Sequence, residues 1–310
     1  MPAHRKPPAL KPGAEIRVVS PASPVDRGAL ARGMAELTRL GFRAHAAPHA
    51  SEQQGYFAGA HHSRWTDLTG GLAPGACDAV FCSRGGYGST YLLDRLEPGN
   101  LPEARIVLGH SDVTVLQSFL WQKLGWVTFY GPMVAAGFDK GAAGYDAESF
   151  RQAVSNTAGG WSADLRGQPL VCGAAEGILL GGCLTMLQTT MGTPWELETT
   201  DAILLLEDRG MKPFQVDRAL MHLRQAVALD PRSAGARINL GNALYLGGDI
   251  AEALANWREA LRLEPANVSA LTQVAWALAT NPADSARNGD EAVEYASRAV
   301  KLSQARNPAA

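Results

Sequence analysis

The stretch Ala104–Gly125, ARIVLGHSDVTVLQSFLWQKLG, joins an apolar run to a helix-like run through a single serine, Ser111. The apolar run has the length of a buried strand, and apolar residues recur at helical spacing after Asp112. A serine at a helix N-terminus commonly caps the first turn with its hydroxyl. The same position also suits a nucleophile, because free backbone N–H groups and the positive end of the helix dipole stabilise an oxyanion there.

Strand-like and helix-like segments alternate on both sides of this stretch. EIRVVSPAS (15–23), DAVFCS (78–83) and ARIVLG (104–109) are predicted strands, and segments with helical spacing separate them. This alternation predicts an α/β fold with a doubly wound, mostly parallel sheet. In such a sheet the ligand crevice lies beyond the carboxyl ends of the strands, where SRGGYGS (83–89) and GHSD (109–112) both fall.

The glycine-rich segment SRGGYGS supplies further candidate residues. Its glycines allow the main chain to approach a ligand closely, and Arg84 is able to hold a substrate carboxylate. Gly85 and Tyr87 are predicted to line the same ligand site. A tight turn without a chemical role is the alternative, and the segment lacks the G-K-[ST] ending of a nucleotide-binding P-loop.

Composition excludes several classes of protein. The 310 residues include 46% hydrophobic and 19% charged residues and carry a formal net charge of -2, so no basic excess predicts nucleic-acid binding. No apolar run reaches the roughly 18 residues that cross a bilayer, and the N-terminal residues lack the apolar core of an export signal. Four cysteines lack the C-x-x-C spacing of a zinc or disulfide site: Cys77, Cys82, Cys172 and Cys183. We therefore expect a cytoplasmic protein without a membrane span or a metal site.

The pattern divides the chain into successive domains. Residues 1–136 form the first α/β domain, the Gly/Ala-rich residues 137–172 are predicted to cross between domains, and 173–226 form a shorter α/β domain. In that shorter domain Glu207 ends the apolar strand AILLLE. A carboxylate at this position is able to orient a basic imidazole, and a solvated strand end is the alternative.

An internal repeat occupies residues 219–304 and predicts an all-α segment. Four positions return 34 residues later: Ala219, Leu223, Ala226 and Pro231 recur as Ala253, Trp257, Ala260 and Pro265. This period, with its small and large positions, resembles the tetratricopeptide repeat. The next copy begins 39 residues further on, at Ala292, which predicts a five-residue insertion in TNPADSARNG (280–289). Such repeats commonly bind protein partners, so we expect a protein partner here.

Six blocks of the sequence together resemble the LD-carboxypeptidase family of serine peptidases, which includes murein tetrapeptide carboxypeptidases and microcin C immunity peptidases. In order they are KPGAEIRVVSPAS, SRGGYGSTYLLDRL, VLGHSDVTVL, VTFYGPM, GILLGGCLTMLQTTMGTPWE and AILLLEDRGMKPFQVDRALMHL. The resemblance implies that Ser111 is the nucleophile and Glu207 the acid of a Ser-His-Glu triad. The backbone N–H groups of Asp112 and Gly86 would then form the oxyanion hole.

The implied reaction removes a terminal D-amino acid from an L,D-muropeptide during cell-wall recycling. The resemblance implies no metal or organic cofactor. Peptidases of this family are often dimeric, so a homodimer is also implied.

The chain departs from the family pattern in its second half. The family's catalytic histidine follows the glutamate by some tens of residues, whereas the last histidine here is His222. His110 is a poor replacement, because adjacent side chains on extended backbone point apart. Cys183 stands where the family usually has asparagine. From residue 219 the repeat pattern replaces the family pattern, through either a gene fusion or an artefact of assembly.

Two functions follow from these observations. The first is a serine LD-carboxypeptidase whose base comes from elsewhere. The second is a catalytically impaired binding or scaffold protein, in which the α/β part recognises a muropeptide-like ligand and the repeats bind a protein.

Overall fold

A computed structural model describes residues 3–101, 103–156, 162, 167, 176–199, 202–212, 215, 221–222, 231–246, 248–281 and 287–306. The chain divides into two compact units. The first unit is Met1–Gly167 with Gly182–Leu197, and the second is Gln168–Gly181 with Glu198–Ala310.

The first unit is built from short strands that alternate with helices. Its strands are β1 (Glu15–Val19), β2 (Arg43–Ala46), β3 (Ala79–Cys82), β4 (Ile106–Gly109) and β5 (Phe129–Tyr130). Its helices are α1 (Arg27–Arg39), α2 (His61–Leu72), α3 (Thr90–Leu93), α4 (Thr114–Leu124), α5 (Ala147–Ser155) and α6 (Leu184–Thr190). Short 3₁₀ segments cover Pro98–Asn100, Ser111–Val113 and Phe138–Ala143, and the last is interrupted by a kink at Gly141.

The five strands form one parallel sheet in the order β2-β1-β3-β4-β5. This order confirms the predicted doubly wound sheet. Its winding reverses between β1 and β3, and a crevice at the carboxyl ends of those two strands is the usual ligand site of such a sheet.

Apolar side chains cover both faces of the sheet. On β3, Val80 and Cys82 contribute to a core shared with α2 and α4, whereas Ala79 and Phe81 contribute to a core shared with α1 and α5. All four residues are fully buried. The strand therefore reads as a continuous apolar run, as expected where helices cover both faces of a parallel sheet. Burial also raises the pKa of the Cys82 thiol to about 12, so this thiol is neutral.

Part of the segment predicted to cross between domains packs inside the first unit. Phe138, Phe150 and Val154 are buried in the core that contains α1. The Gly/Ala content of residues 137–172 indicated a boundary, but three large apolar side chains bind residues 138–155 to the sheet. Most of 157–172 lies outside the described residues. The division of the chain at residues 136, 172 and 226 stays a prediction.

The second unit contains a strand pair and a set of helices. Strand β6 (Ile178–Cys183), whose last two residues count with the first unit, pairs with β7 (Ala202–Glu207). The helices that follow are α7 (Ala234–Leu246), α8 (Ile250–Leu263), α9 (Val268–Thr280) and α10 (Gly289–Arg306). None of the helices in the described ranges is long and apolar enough to cross a membrane.

Small residues let the repeat helices pack closely around one indole. Trp257 is buried, and its indole N–H donates to Asn242 Oδ1 at 3.0 Å. Gly241 lies against the indole, because a Cβ there would come within 2.5 Å of the ring nitrogen. Ala253 and Ala260, which the repeat predicts as small positions, are fully buried. This packing agrees with the tetratricopeptide pattern of the sequence.

The lengths of the inter-helix segments agree with the predicted insertion. The segment between α9 and α10, Asn281–Asn288, is five residues longer than the segment between α7 and α8. The predicted first half-copy, with Ala219, Leu223 and Ala226, lies outside the described residues.

The packing of α1 and α2 predicts opposite effects for two glycine-to-alanine changes. A Cβ at Gly33 would lie 1.8 Å from the Val134 carbonyl oxygen, so Gly33→Ala should lower the free energy of unfolding by about 1–3 kcal/mol. Gly70, on the exposed side of α2, has no atom within 4 Å of such a Cβ. Gly70→Ala should therefore raise stability by about 0.5–1 kcal/mol, through reduced entropy of the unfolded chain. Urea unfolding measures both changes, and equal effects would contradict this packing.

Candidate active site

Ser111 occupies a strained turn between β4 and α4. It has a φ of 61° and is the one non-glycine residue with positive φ among the described residues. His110 before it is extended, with φ -151° and ψ -177°. Gly109 makes room for the turn, since a Cβ there would lie 2.9 Å from the Val113 side chain. Such strand-turn-helix geometry lifts the serine side chain out of the strand and is typical of a nucleophile elbow.

The Ser111 hydroxyl is half-buried and makes no hydrogen bond to the part of the chain that the structure describes. Neither the 3₁₀ segment nor α4 has a side-chain cap. The polar contact of Ser111 is through its backbone, whose N–H donates to the Tyr130 hydroxyl at 3.3 Å. The interpretation of Ser111 as a helix cap is therefore wrong, and its role as a nucleophile stays a prediction.

The loop after β3 lies directly against this turn. A Cβ at Gly85 would lie 3.1 Å from Ser111 Oγ and 3.3 Å from the Asp112 nitrogen. Any side chain at Gly85 would therefore occupy the space beside the hydroxyl. The backbone N–H groups of Gly86 and Asp112 have no acceptor within the described ranges. Two unpaired donors thus lie on the two segments that meet at Ser111, and their function as an oxyanion hole stays a prediction.

Ser23, in the turn after β1, fixes this loop from the other side. Its hydroxyl accepts a hydrogen bond from the Tyr87 N–H at 3.0 Å, and its own N–H donates to the Gly85 carbonyl at 3.4 Å. Gly86 has a φ of 113°, and a Cβ there would lie 2.4 Å from Ser23 Oγ. The chain segments that leave β1, β3 and β4 therefore meet at one place.

Arg84 and Tyr87 are two exposed side chains of the loop after β3. The exposed Arg84 guanidinium donates to the Pro24 carbonyl at 3.2 Å. Pro24 also borders a cleft of about 770 Å³, which residues 24–27 and 51–53 line together with Pro48. Tyr87 is 49% exposed, and a hydrogen bond with the Tyr91 hydroxyl raises the pKa of Tyr87. Both side chains are exposed, and their role in substrate binding stays a prediction.

Three histidines of the first unit have partners other than the Ser111 hydroxyl. The His110 Nδ1–H donates to the Gly131 carbonyl at 2.9 Å. His49 hydrogen-bonds to Asp67, and this contact raises the pKa of His49. Burial, together with the charge of Arg64, lowers the pKa of His61. No histidine among the described residues hydrogen-bonds to the Ser111 hydroxyl.

The structure brings together some of the predicted site residues. Ser111, Asp112 and Gly85 are in contact within the first unit. Glu207 is the last residue of β7, as predicted, where it is half-buried and belongs to the second unit. Ser23 is not among the residues predicted from the sequence, although a serine in the turn after the first strand lies at the predicted crevice.

Two family models match the α/β part of the chain and a third matches the repeats. The model of the LD-carboxypeptidase N-terminal domain matches residues 16–131, and that of the LD-carboxypeptidase C-terminal domain matches residues 176–237. A model of the TPR repeat matches residues 241–280.

Curated relatives and solved structures agree with these matches. A probable murein peptide carboxypeptidase of Bacillus subtilis is 34% identical over 71% of this chain and 70% of its own length. The murein tetrapeptide carboxypeptidase of Pseudomonas aeruginosa is 31% identical over 71% of this chain and 74% of its own length. The microcin C7 self immunity protein shares the fold, with a TM-score of 0.65 and 23% identity over 73% of this chain and 77% of that chain.

The strained turn predicts a stability difference between two variants that both lack the hydroxyl. A left-handed backbone costs a non-glycine residue about 1–2 kcal/mol, so Ser111→Gly should be more stable than Ser111→Ala by about 1 kcal/mol. Thermal and urea unfolding of the two variants measure the difference. Equal stability, or a more stable alanine variant, would show that residue 111 is unstrained.

Proposed function

The chain belongs to the LD-carboxypeptidase family, and on that premise we propose that it removes the terminal D-amino acid from L,D-muropeptides in cytoplasmic recycling of cell-wall peptides. The observation that carries the proposal is the unpaired Ser111 hydroxyl at a strained turn with Gly85 packed beside it. Two relatives named as murein peptide carboxypeptidases support the substrate class.

In the proposed reaction Ser111 Oγ attacks the carbonyl carbon before the terminal D-amino acid, and a base takes the hydroxyl proton. The N–H groups of Asp112 and Gly86 stabilise the oxyanion. The C–N bond then breaks, and the departing amine receives the proton. Water hydrolyses the acyl-serine and restores the hydroxyl. Arg84 is proposed to bind the carboxylate of the D-amino acid, a pairing for which a guanidinium is well suited.

The isolated chain has no identified residue that acts as the base in this reaction. In the proposed triad Glu207 orients an imidazole, and no histidine follows His222 in the sequence. Loss of one triad member leaves about 10³–10⁴-fold catalysis over water, which comes from binding and the oxyanion hole. We therefore propose that the isolated chain turns over slowly, and that another chain supplies the imidazole. A second copy in a homodimer is one such chain.

A binding or scaffold role is the second candidate, and the repeat segment favours it. The TPR match at residues 241–280 supports a protein partner for the second unit. In this role the first unit binds a muropeptide-like ligand without forming an acyl-serine. The two candidates therefore share ligand binding and differ in the covalent step at Ser111.

Added imidazole separates the two candidates. The purified chain is incubated with an L,D-tetrapeptide that ends in D-alanine, and release of D-alanine is measured with and without imidazole. We expect slow release that rises with imidazole concentration, because the small molecule replaces the absent base, and loss of release in Ser111→Ala. Tetrapeptide binding without release at any imidazole concentration would contradict the peptidase and support the scaffold. Release that survives Ser111→Ala would exclude Ser111 as nucleophile.

A further inference from the structure

We propose that Arg64 and Asp112 are positioning residues, whose buried side chains hold the Gly85–Gly86 loop against the Ser111 turn. This inference rests on the proposed function, because it concerns the geometry of the oxyanion hole. It assigns a role to the Asp112 side chain, whereas the oxyanion hole uses the Asp112 backbone.

The Asp112 carboxylate reaches across to the far end of the glycine-rich loop. Asp112 is 1% exposed, and its Oδ2 accepts a hydrogen bond from the Ser89 N–H at 2.8 Å. Its own backbone N–H is one of the two unpaired donors beside Ser111. Asp112 therefore connects the turn that carries its own N–H group to the loop that carries the Gly86 N–H group.

Arg64 holds the same loop from α2. Its guanidinium is buried and donates to the Gly88 carbonyl at 2.8 Å and to the Pro21 carbonyl. Pro21 lies in the turn after β1, two residues before Ser23. The guanidinium therefore ties the loop after β3 to the turn after β1. It also lies 4.9 Å from the centre of the Phe57 ring, which limits its movement.

The contacts near Gly88 leave little freedom at this end of the loop. Gly88 has a φ of 130°, and a Cβ there would lie 2.9 Å from the Arg64 guanidinium and 2.8 Å from the Phe57 ring. The glycine thus lets Arg64 bind the backbone itself. Ser89, the next residue, is held by Asp112. Adjacent residues are therefore bound by side chains of opposite charge.

Stability alone does not account for this arrangement. Arg64 and Asp112 are both almost fully buried, and removing charges from water costs more than a well-packed apolar pair would. Three buried polar atoms of the cluster also have no partner among the described residues: Arg64 Nε, Asp112 Oδ1 and Ser89 Oγ. Carboxylate and guanidinium instead provide directional hydrogen bonds to backbone groups. Fixed donors are what an oxyanion hole requires, because they need no rearrangement during the reaction.

The test compares the affinity of the full chain for two peptides. One is a peptide boronic acid in which boron replaces the scissile carbonyl carbon, and the other is the matching peptide primary amide, whose carbonyl group stays planar and uncharged. The Ser111 oxygen forms a bond to boron, the hydroxyl proton passes to solvent, and the resulting tetrahedral boronate is an anion. The ratio of the two affinities reports the anion cradle, by which we mean the Gly86 and Asp112 N–H groups beside Ser111. A general loss of folding would weaken the binding of both peptides equally.

In the wild-type chain we expect the boronate to bind more tightly, and Ser111→Ala to remove this preference. Asp112→Ala and Arg64→Met should each lower the affinity ratio about 10–100-fold, because a small displacement of an oxyanion donor has effects of this size. Asp112→Asn should retain most of the ratio, since its amide oxygen still accepts the Ser89 N–H.

Asp67→Ala is the matched control. Asp67 is also a buried carboxylate of the first unit, and it accepts a hydrogen bond from the His49 N–H at 2.9 Å. Its loss should lower the melting temperature without changing the affinity ratio. An equal fall in the ratio for Asp67→Ala would indicate a structural role and overturn the inference.

Two further outcomes separate this inference from the proposed function. An unchanged ratio in Asp112→Ala and Arg64→Met, beside a wild-type preference for the boronate, would overturn the inference alone. A wild-type chain without any preference for the boronate would contradict the proposed function and the inference with it.

Discussion

The candidate site of the first unit depends on one close approach, that of the glycine-rich loop to the turn at Ser111. A single methyl group at Gly85 would fill the space beside the hydroxyl, and one at Gly86 would collide with Ser23. Parallel strands make this approach possible, because their carboxyl ends meet at the same edge of the sheet. The buried apolar faces of β3 and β4 hold the two turns at a fixed distance. The proposed reactivity of Ser111 therefore depends on how the two loops pack together as well as on the serine hydroxyl itself.

The sequence predicted the elements that depend on local pattern. The apolar run before Ser111 and the helical spacing after it required the turn, and the parallel sheet placed the glycine-rich loop beside it. The sequence did not predict the role of Arg64, because an arginine on a helix usually reaches solvent. Its acceptors lie on two distant loops that only the fold brings to α2. The packing of residues 138–155 was missed for a related reason, since composition does not reveal which apolar side chains reach the core.

The proposed oxyanion donors and the proposed triad acid belong to different units of the chain. The proposed anion cradle lies entirely within the first unit and consists of Ser111, Asp112 and the loop that holds Gly86. The proposed acid, Glu207, belongs to the second unit, which continues into the repeat helices. We expect such a cradle to bind tetrahedral anions without its own base, because backbone donors act independently of proton transfer. Retention of the cradle is thus consistent with a peptidase that receives its base from another chain and with a ligand-binding protein.

The most direct measurement of the cradle is the amide proton resonance of Gly86 and of Asp112 in the boronate adduct of Ser111. If these two N–H groups stabilise the anion, both resonances move downfield when the adduct forms, and both keep their free positions in Ser111→Ala. An adduct that forms on Ser111 and leaves both resonances unmoved would contradict the account.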